Sequence, residues 1–157
     1  MENIVEIILR LLLAAVLGGL IGAERDFRGK AAGMRTYLLV ALGSALMMVI
    51  SRYAFADAGG DPSRVAAQIV TGIGFIGAGA IMFDKHAVHG LTTAAGIWVV
   101  AGIGMAAAAG MYIISIAATL LTLAGLEISG WSLFPRNRRT GEGGEIGNQS
   151  PNSQVDK

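Results

Sequence analysis

The chain contains no cysteine among its 157 residues. Disulfides, thiolate metal sites and cysteine nucleophiles are therefore excluded. Charged residues are also scarce, at 15% of the chain, whereas soluble domains carry about 25%. There are three prolines against 23 glycines, and the net charge of +1 creates no field that would attract nucleic acid. These shortages exclude a disordered chain, a collagen-like chain and a conventional soluble enzyme, and no nucleic-acid partner is expected.

What the chain does contain is long apolar runs. Hydrophobic residues make up 54% of it, and the mean hydropathy is +0.60. A membrane helix needs about 20 mostly apolar residues, and the uncharged run from residue 91 to 126 is too long for one span, so we divide it near Ala109 and Gly110. The sequence predicts an all-α, polytopic membrane protein. It is a bundle of about five transmembrane helices packed through glycine and other small residues, in a domain at residues 1–134 with spans near 4–21, 36–56, 65–83, 91–109 and 111–130.

Lysine and arginine alternate between the predicted loops. The first loop is basic, and so is the segment after the fifth span, whereas the second loop has only Arg64 against Asp57 and Asp61. Cytoplasmic loops carry the excess of basic residues, so we predict a multi-pass protein with its N-terminus outside and its C-terminus in the cytoplasm. Residues 135–157 are rich in Gly, Asn, Ser and charge and are predicted to form a disordered cytoplasmic tail.

Glycines dominate the third span. Gly72, Gly74 and Gly77 have the G-x-G-x-x-G spacing of a dinucleotide site, but such a site requires a preceding strand and a βαβ unit. Small residues instead let membrane helices approach each other closely. An alternative that stays open is a broken helix whose free carbonyls face a cavity. We predict that six glycines are helix-packing positions: Gly18, Gly22, Gly72, Gly74, Gly77 and Gly79.

Ionisable residues collect near the ends of the spans. Glu6 and Arg10 have the i,i+4 spacing that allows an ion pair. At the predicted inner surface, carboxylates could bind Mg²⁺, which uses one or two carboxylates together with water. The alternative that we favour is that Arg25 and Arg35 neutralise these acids in interfacial salt bridges. The candidate metal ligands are Glu24, Asp26, Asp84 and Glu127.

Further polar residues stand at the starts of the third and fourth spans. Asp61 can cap the third helix and pair with Arg64, and Gln68 follows one turn later. The hydroxyl of Thr93 can bond the backbone or reach a neighbouring helix. No Ser-His-Asp order, acidic dyad or phosphate loop is visible, so no catalytic residues and no enzyme activity are expected. The candidate functional cluster comprises Glu24, Arg25, Asp26, Arg35, Asp61, Arg64, Gln68 and Thr93.

Four strings in this order resemble the MgtC/SapB family. They are GGLIGAER at 18–25, AGMRTYLLV at 32–40, DPSRVAAQIVTGIGFIGAGA at 61–80 and GLTTAAGIW at 90–98. The resemblance covers roughly residues 5–125. The positions that match those recurring in the family are Glu24, Arg25, Gly33, Arg35, Thr36, Asp61, Pro62, Arg64, Gln68, Gly72, Gly74, Gly77, Gly79, Thr93 and Trp98.

The resemblance implies a protein of the bacterial inner membrane, linked to growth in low magnesium and to survival inside host cells. Family members look like regulators of other membrane proteins, including the proton-driven ATP synthase and transport systems. The implied partners are therefore membrane lipids and other inner-membrane proteins. The alternative is a small oligomeric Mg²⁺ transporter or channel with Gln68, Asp61, Asp84 and Glu127 along one polar path. A homo-oligomer and a bound Mg²⁺ stay open, and no other cofactor is expected.

The chain departs from the family pattern at several points. Asp26 stands where many members carry glutamate, which keeps the charge, and His89 stands where many have arginine. Virulence-type members carry a soluble cytoplasmic domain after the last span, whereas here residues 136–157 follow it. The chain is therefore similar to the short, SapB-like type and is expected to lack that domain.

Overall fold

Five helices run alternately up and down the molecule. The computed structural model describes residues 3–54, 61, 63–85 and 87–128. All five predicted helices are present, and a short antiparallel hairpin separates the third from the fourth. In chain order the elements are α1 (Ile4–Phe27), α2 (Met34–Ala54), α3 (Ser63–Gly79), β1 (Met82–Asp84), β2 (Ala87–His89), α4 (Leu91–Ala108) and α5 (Tyr112–Ile128).

The alternating direction gives the bundle two distinct ends. At the hairpin end α1, α3 and α5 finish, and α2 and α4 begin next to the hairpin. At the opposite end α1, α3 and α5 begin. The turn between α4 and α5 lies there and contains Gly110 with φ +82°, which confirms the predicted division of the long apolar run.

Helix α4 is the centre of the bundle and packs against the other four helices. Its side chains Ile97, Val100 and Ile103 are buried together with Tyr37 of α2. Large apolar side chains cover the outside, including Phe75 at 86% exposure. Such a surface suits lipid, and α1, α2 and α4 are each long and apolar enough to cross a membrane. The fold is that of an all-α polytopic membrane protein.

Two of the predicted packing glycines lie where α1 meets α2. A Cβ on Gly18 would stand 2.6 Å from the Cβ of Ala41, and a Cβ on Gly22 would stand 2.5 Å from the Cα of Met34. Neither distance is tolerable for carbon atoms, so only glycine allows the two helices to lie this close.

The glycines of α3 behave differently from the prediction. Apart from the nearby backbone of α3 itself, no atom of the described residues lies within 4 Å of a Cβ built on Gly72, Gly74 or Gly79. A Cβ on Gly77 would make only ordinary contact with Ala94. The close packing expected there is therefore absent from the described part of this chain. The helix also runs unbroken over Ser63–Gly79, so the alternative of a broken helix is wrong.

Two helix ends differ from the predicted spans. Helix α1 continues to Phe27, past the predicted end at 21, because its last polar turn is held by ion pairs from Glu24. Helix α3 ends at Gly79 rather than 83, and the next residues form the hairpin, in which Met82 pairs with His89. Strands of three residues are too short to show an alternating pattern, which is why the sequence did not predict them.

Parts of the predicted organisation lie outside the described residues. These are the last two residues of the predicted second span, the last two of the fifth, and the predicted tail at 135–157.

Candidate functional site

The structure divides the candidate cluster between the two ends of the bundle. Asp61, Arg64 and Gln68 lie at the opposite end, at the start of α3. The rest of the cluster, with the further candidate metal ligands, lies at the hairpin end: Glu24, Arg25, Asp26, Arg35, Asp84, Thr93 and Glu127.

Glu24 is the hub of the ion pairs at the hairpin end. It accepts hydrogen bonds from its neighbour Arg25, whose side chain is 3% exposed, and from Nε of Arg28 at 2.8 Å. Arg28 also donates to Glu127 on α5. One arginine therefore joins the ends of α1 and α5, and the interfacial salt bridges that we favoured are found, although Arg28 rather than Arg35 completes them.

Arg28 was not among the predicted site residues. Hydrogen bonding to the Glu127 carboxylate, together with its charge, raises the pKa of Arg28 further above neutrality. The two residues are separated by 99 positions, so no local spacing in the sequence could have paired them. The basic first loop was the only signal available.

Asp26 supports the start of α2 from a distance of eight residues. Its Oδ2 accepts a hydrogen bond from the backbone N–H of Met34 at 2.9 Å. The first amides of a helix have no acceptor within the helix, so a side-chain oxygen here acts as a cap. A side chain on Gly33 would overlap the Asp26 carboxylate. The matched pair Asp26 and Gly33 thus shapes the turn between α1 and α2.

We expect Asp26→Ala to lower the free energy of unfolding by about 1 kcal/mol, the usual value of a lost helix cap. Asp26→Asn keeps an acceptor oxygen and should retain most of the stability. Equilibrium unfolding in mixed micelles measures both, with Asp84→Ala as the control because Asp84 bonds only its neighbour, the N–H of Lys85, among the described residues. Equal losses for the alanine and asparagine variants would show that charge, not capping, is important.

Thr93 lies at the buried contact between α4 and α2. Its residue is 4% exposed, and its carbonyl accepts a hydrogen bond from the hydroxyl of Tyr37 at 3.2 Å. Tyr37 is fully buried and lies against Gly96, where any side chain would overlap its hydroxyl oxygen. The sequence pointed to Thr93 but gave no sign of Tyr37 and Gly96, since their proximity arises only when α2 and α4 pack.

A cavity of about 390 Å³ opens at the hairpin end. It lies between the end of α1, strand β2 and the start of α4. Cationic side chains form one wall and the first turn of α4 forms another. The polar lining is Arg25, Arg28, Lys30, His89, Thr92 and Thr93.

Two other candidates at the hairpin end stand apart from this cavity. Arg35 lines a largely apolar groove of about 500 Å³ between α2 and α3. Asp84 is exposed on the hairpin, where its carboxylate accepts a hydrogen bond from the N–H of Lys85 at 2.6 Å.

At the opposite end, Asp61 caps α3. Its Oδ1 accepts a hydrogen bond from the N–H of Ser63 at 2.9 Å, as the sequence predicted for a capping residue. Hydrogen bonding from Ser63 lowers the pKa of this carboxyl group. Arg64 and Gln68 are exposed on α3. These polar groups therefore lie on the outside of the chain and do not line an internal path with Asp84 and Glu127.

The four candidate metal ligands do not form one centre. Glu24 and Glu127 are both engaged by Arg28, Asp26 binds the backbone of α2, and Asp84 belongs to the hairpin. Within the described ranges, no group of three or more His, Asp or Glu side chains is close enough to hold an ion.

A second buried arginine organises the opposite end. Arg10 pairs with Glu6, as its spacing predicted, and its Nε donates to the hydroxyl of Tyr112 at 2.9 Å. Its Nη1 donates to the carbonyl of Ala108 at 3.2 Å, at the end of α4. Arg52 donates a hydrogen bond to the next carbonyl, that of Ala109, at 3.4 Å. Arginine side chains thus donate to the last carbonyls of α4, which have no partner within the helix and favour positive charge.

Comparisons with known proteins match the membrane part of the chain. The model described as the MgtC family matches residues 11–132. The protein named "Putative magnesium transporter YhiD" of Escherichia coli K12 is 54% identical over 129 residues, covering 78% of this chain and 60% of that protein. Protein MgtC of Salmonella typhimurium LT2 is 49% identical over 116 residues, covering 74% of this chain and 49% of that protein.

The chain spans about half to three fifths of the length of these relatives. No solved structure matches it significantly. The family model nevertheless covers most of the chain, including all of α2, α3, α4 and α5 and all but the first seven residues of α1. On this match, this membrane protein belongs to the MgtC family.

Proposed function

We propose that the chain is a non-enzymatic inner-membrane protein that regulates other membrane transport or energy-coupling complexes and serves magnesium homeostasis. The link to magnesium is supported by the name of the relative called a putative magnesium transporter. An N-terminus outside and a C-terminus in the cytoplasm are supported by the basic side chains that collect at the hairpin end. These are Arg25, Arg28, Lys30, Arg35 and Lys85.

The distribution of charge inside the bundle carries this proposal. Among the described residues, the buried charged ones are Arg10 and Arg25, one at each end. Between them the interior consists of apolar side chains and a few hydroxyl groups, with Val100 and Ala101 at its middle. A divalent cation needs oxygen ligands along its route. Because the interior of a single chain is mostly apolar, we infer that the protein acts by contact with other proteins rather than by conducting ions.

The outward face of α3 offers a surface on which a helix of another membrane protein can bind. Gly72, Gly74 and Gly79 have open space where a side chain would stand, and a groove lies on each side of the helix, of about 500 and 260 Å³. Small residues on a lipid-facing surface let another helix approach closely. A helix of a regulated membrane complex is the occupant that we propose.

The second candidate is an oligomeric magnesium transporter. Arg64 and Gln68 are exposed on α3, so an oligomer assembled through this helix would enclose polar groups that a single chain leaves outside. This alternative predicts Mg²⁺ uptake that depends on Asp61, which lies just before the same helix.

A growth experiment tests whether the outward face of α3 is the surface that binds the partner. In a strain that lacks the gene for this protein, the Gly74→Leu variant should fail to restore growth in low magnesium. Its unfolding free energy should stay within about 0.5 kcal/mol of the original, since no described atom outside the nearby backbone of α3 lies within 4 Å of the new Cβ. Gly125→Leu on α5 is the matched control because its surroundings are equally open. Full growth with Gly74→Leu would reject α3 as the partner surface.

The uptake experiment separates the two candidates. Purified protein is reconstituted in liposomes that contain a trapped fluorescent Mg²⁺ indicator, with an ionophore as the positive control. We expect no uptake above that of empty liposomes. Saturable uptake that is lost in Asp61→Asn would establish a transporter and overturn the regulatory proposal.

A further inference from the structure

The cavity at the hairpin end has an excess of positive charge. Arg25 and Arg28 are in its wall, with their charges balanced by Glu24 and Glu127. Lys30 also lines the cavity and is exposed, and it forms no ion pair with any described residue. The balance of these five groups is one positive charge. An anion entering the cavity would therefore meet a cation that is not already neutralised.

The second wall of the cavity is the start of α4. Gly90 precedes the helix with φ +87° and provides no side-chain cap. The backbone N–H of Ala94 bonds the carbonyl of Gly90, but the amides before it have no acceptor within an α-helix. Leu91, Thr92 and Thr93 all line the cavity. The positive end of an 18-residue helix dipole therefore faces the same space as Lys30.

Thr93 provides an observation independent of the helix end. It is 96% buried, yet its hydroxyl makes no hydrogen bond with the described residues. Every fully enclosed side-chain nitrogen or oxygen in the described part of the chain has a partner. The hydroxyl is therefore not fully enclosed, and the space that it meets is the cavity that Thr93 lines. A buried hydroxyl in this position is satisfied when a ligand oxygen binds there.

We propose that this cavity binds a phosphate group, held between the first turn of α4, the hydroxyl of Thr93 and the ammonium group of Lys30. Phosphate oxygens accept hydrogen bonds from backbone amides at helix starts, and lysine binds phosphate as a point charge. A soluble phosphate and the headgroup of a membrane phospholipid offer the same chemistry. A volume of about 390 Å³ admits either one. This inference does not rest on the proposed regulatory function.

The test uses the full chain in nanodiscs of phosphatidylcholine. In the first arm inorganic phosphate is titrated at constant ionic strength with chloride, and the midpoint of thermal unfolding is followed. In the second arm the discs contain increasing amounts of phosphatidic acid and no free phosphate. We expect a saturable rise of the midpoint, which ligand binding to the folded state produces. A rise in the first arm identifies free phosphate as the source, and a rise in the second arm alone identifies the lipid headgroup.

Two variants and two matched controls assign the response to the cavity. Lys30→Gln and Thr93→Val should each weaken the apparent affinity by about tenfold, as expected for a lost charge-assisted or buried hydrogen bond. Lys85→Gln removes one charge at the same end, and Thr71→Val removes a hydroxyl that bonds Ala67 within α3. Both controls should bind as the original does. Absence of a saturable response in both arms, or an equal loss in Lys85→Gln, would overturn the proposal.

Discussion

Replacing Gly104 by alanine is expected to lower the free energy of unfolding by about 2–3 kcal/mol, the cost of overpacking a core. A Cβ at this position would lie 3.0 Å from both the Cα and the carbonyl carbon of Ala41 and would overlap its carbonyl oxygen. These are backbone atoms of a neighbouring helix, so they cannot turn away as a side chain can. The methyl group fits only if α2 and α4 separate, which disturbs the centre of the bundle.

The same substitution two positions earlier is the control. A Cβ on Gly102 meets no described atom within 4 Å apart from the nearby backbone of α4, so Gly102→Ala should be neutral or should stabilise α4 by up to about 1 kcal/mol. Unfolding by SDS in mixed micelles, followed by circular dichroism, measures both variants. A loss of the same size at both positions would contradict the close contact between α2 and α4.

The second large effect is expected from Arg10→Gln. This substitution should lower the free energy of unfolding by about 2–3 kcal/mol because it removes a buried charge from its hydrogen-bonded partners. Arg10 is 6% exposed and bonds Glu6, Tyr112 and Ala108 at once. Glutamine is shorter and uncharged, so it cannot reach all three. The carbonyl of Ala108 and the Glu6 carboxylate would lose the partner that joins α1 to the start of α5.

Arg52→Gln provides the matched control at the same end. Arg52 donates to the carbonyl of Ala109 at 3.4 Å and is exposed, so its loss should cost less than about 1 kcal/mol. Glu6→Gln should also cost less than Arg10→Gln because the Glu6 side chain is 44% exposed. Equal losses for Arg10→Gln and Arg52→Gln in the same unfolding assay would show that burial of Arg10 contributes nothing.

Local spacing accounts for what could be foreseen at the end opposite the hairpin. Glu6 and Arg10 lie one helical turn apart, and Asp61 stands directly before an apolar helix, so pairing and capping follow from a single element. The bond from Arg28 to Glu127 and the contact of Tyr37 with Thr93 join different helices. They depend on how the helices rotate and cross, which no short window of sequence contains.

The glycines show the same difference between what the sequence predicts and what the packing of the helices decides. The sequence marks Gly72, Gly74 and Gly104 alike as small residues in apolar helices. The structure opens the first two to the outside and presses the third against α2. Small size is a property of the residue, whereas close packing also requires a neighbour at that height and angle. Counting glycines therefore predicted that the bundle is closely packed but did not show which helix faces meet.

The sequence by itself determined that the protein lies in a membrane, that it has five helices and that the chain turns between α4 and α5, because hydropathy and turn-forming residues are local properties. It also determined membership of the MgtC family through four ordered strings. Only the tertiary structure decided that Thr93 lines a cationic cavity, that Arg28 links α1 to α5, and that α3 turns Gly72, Gly74 and Gly79 outward. These features arise from contacts between residues far apart in the chain, whose geometry is fixed only when the helices pack around α4.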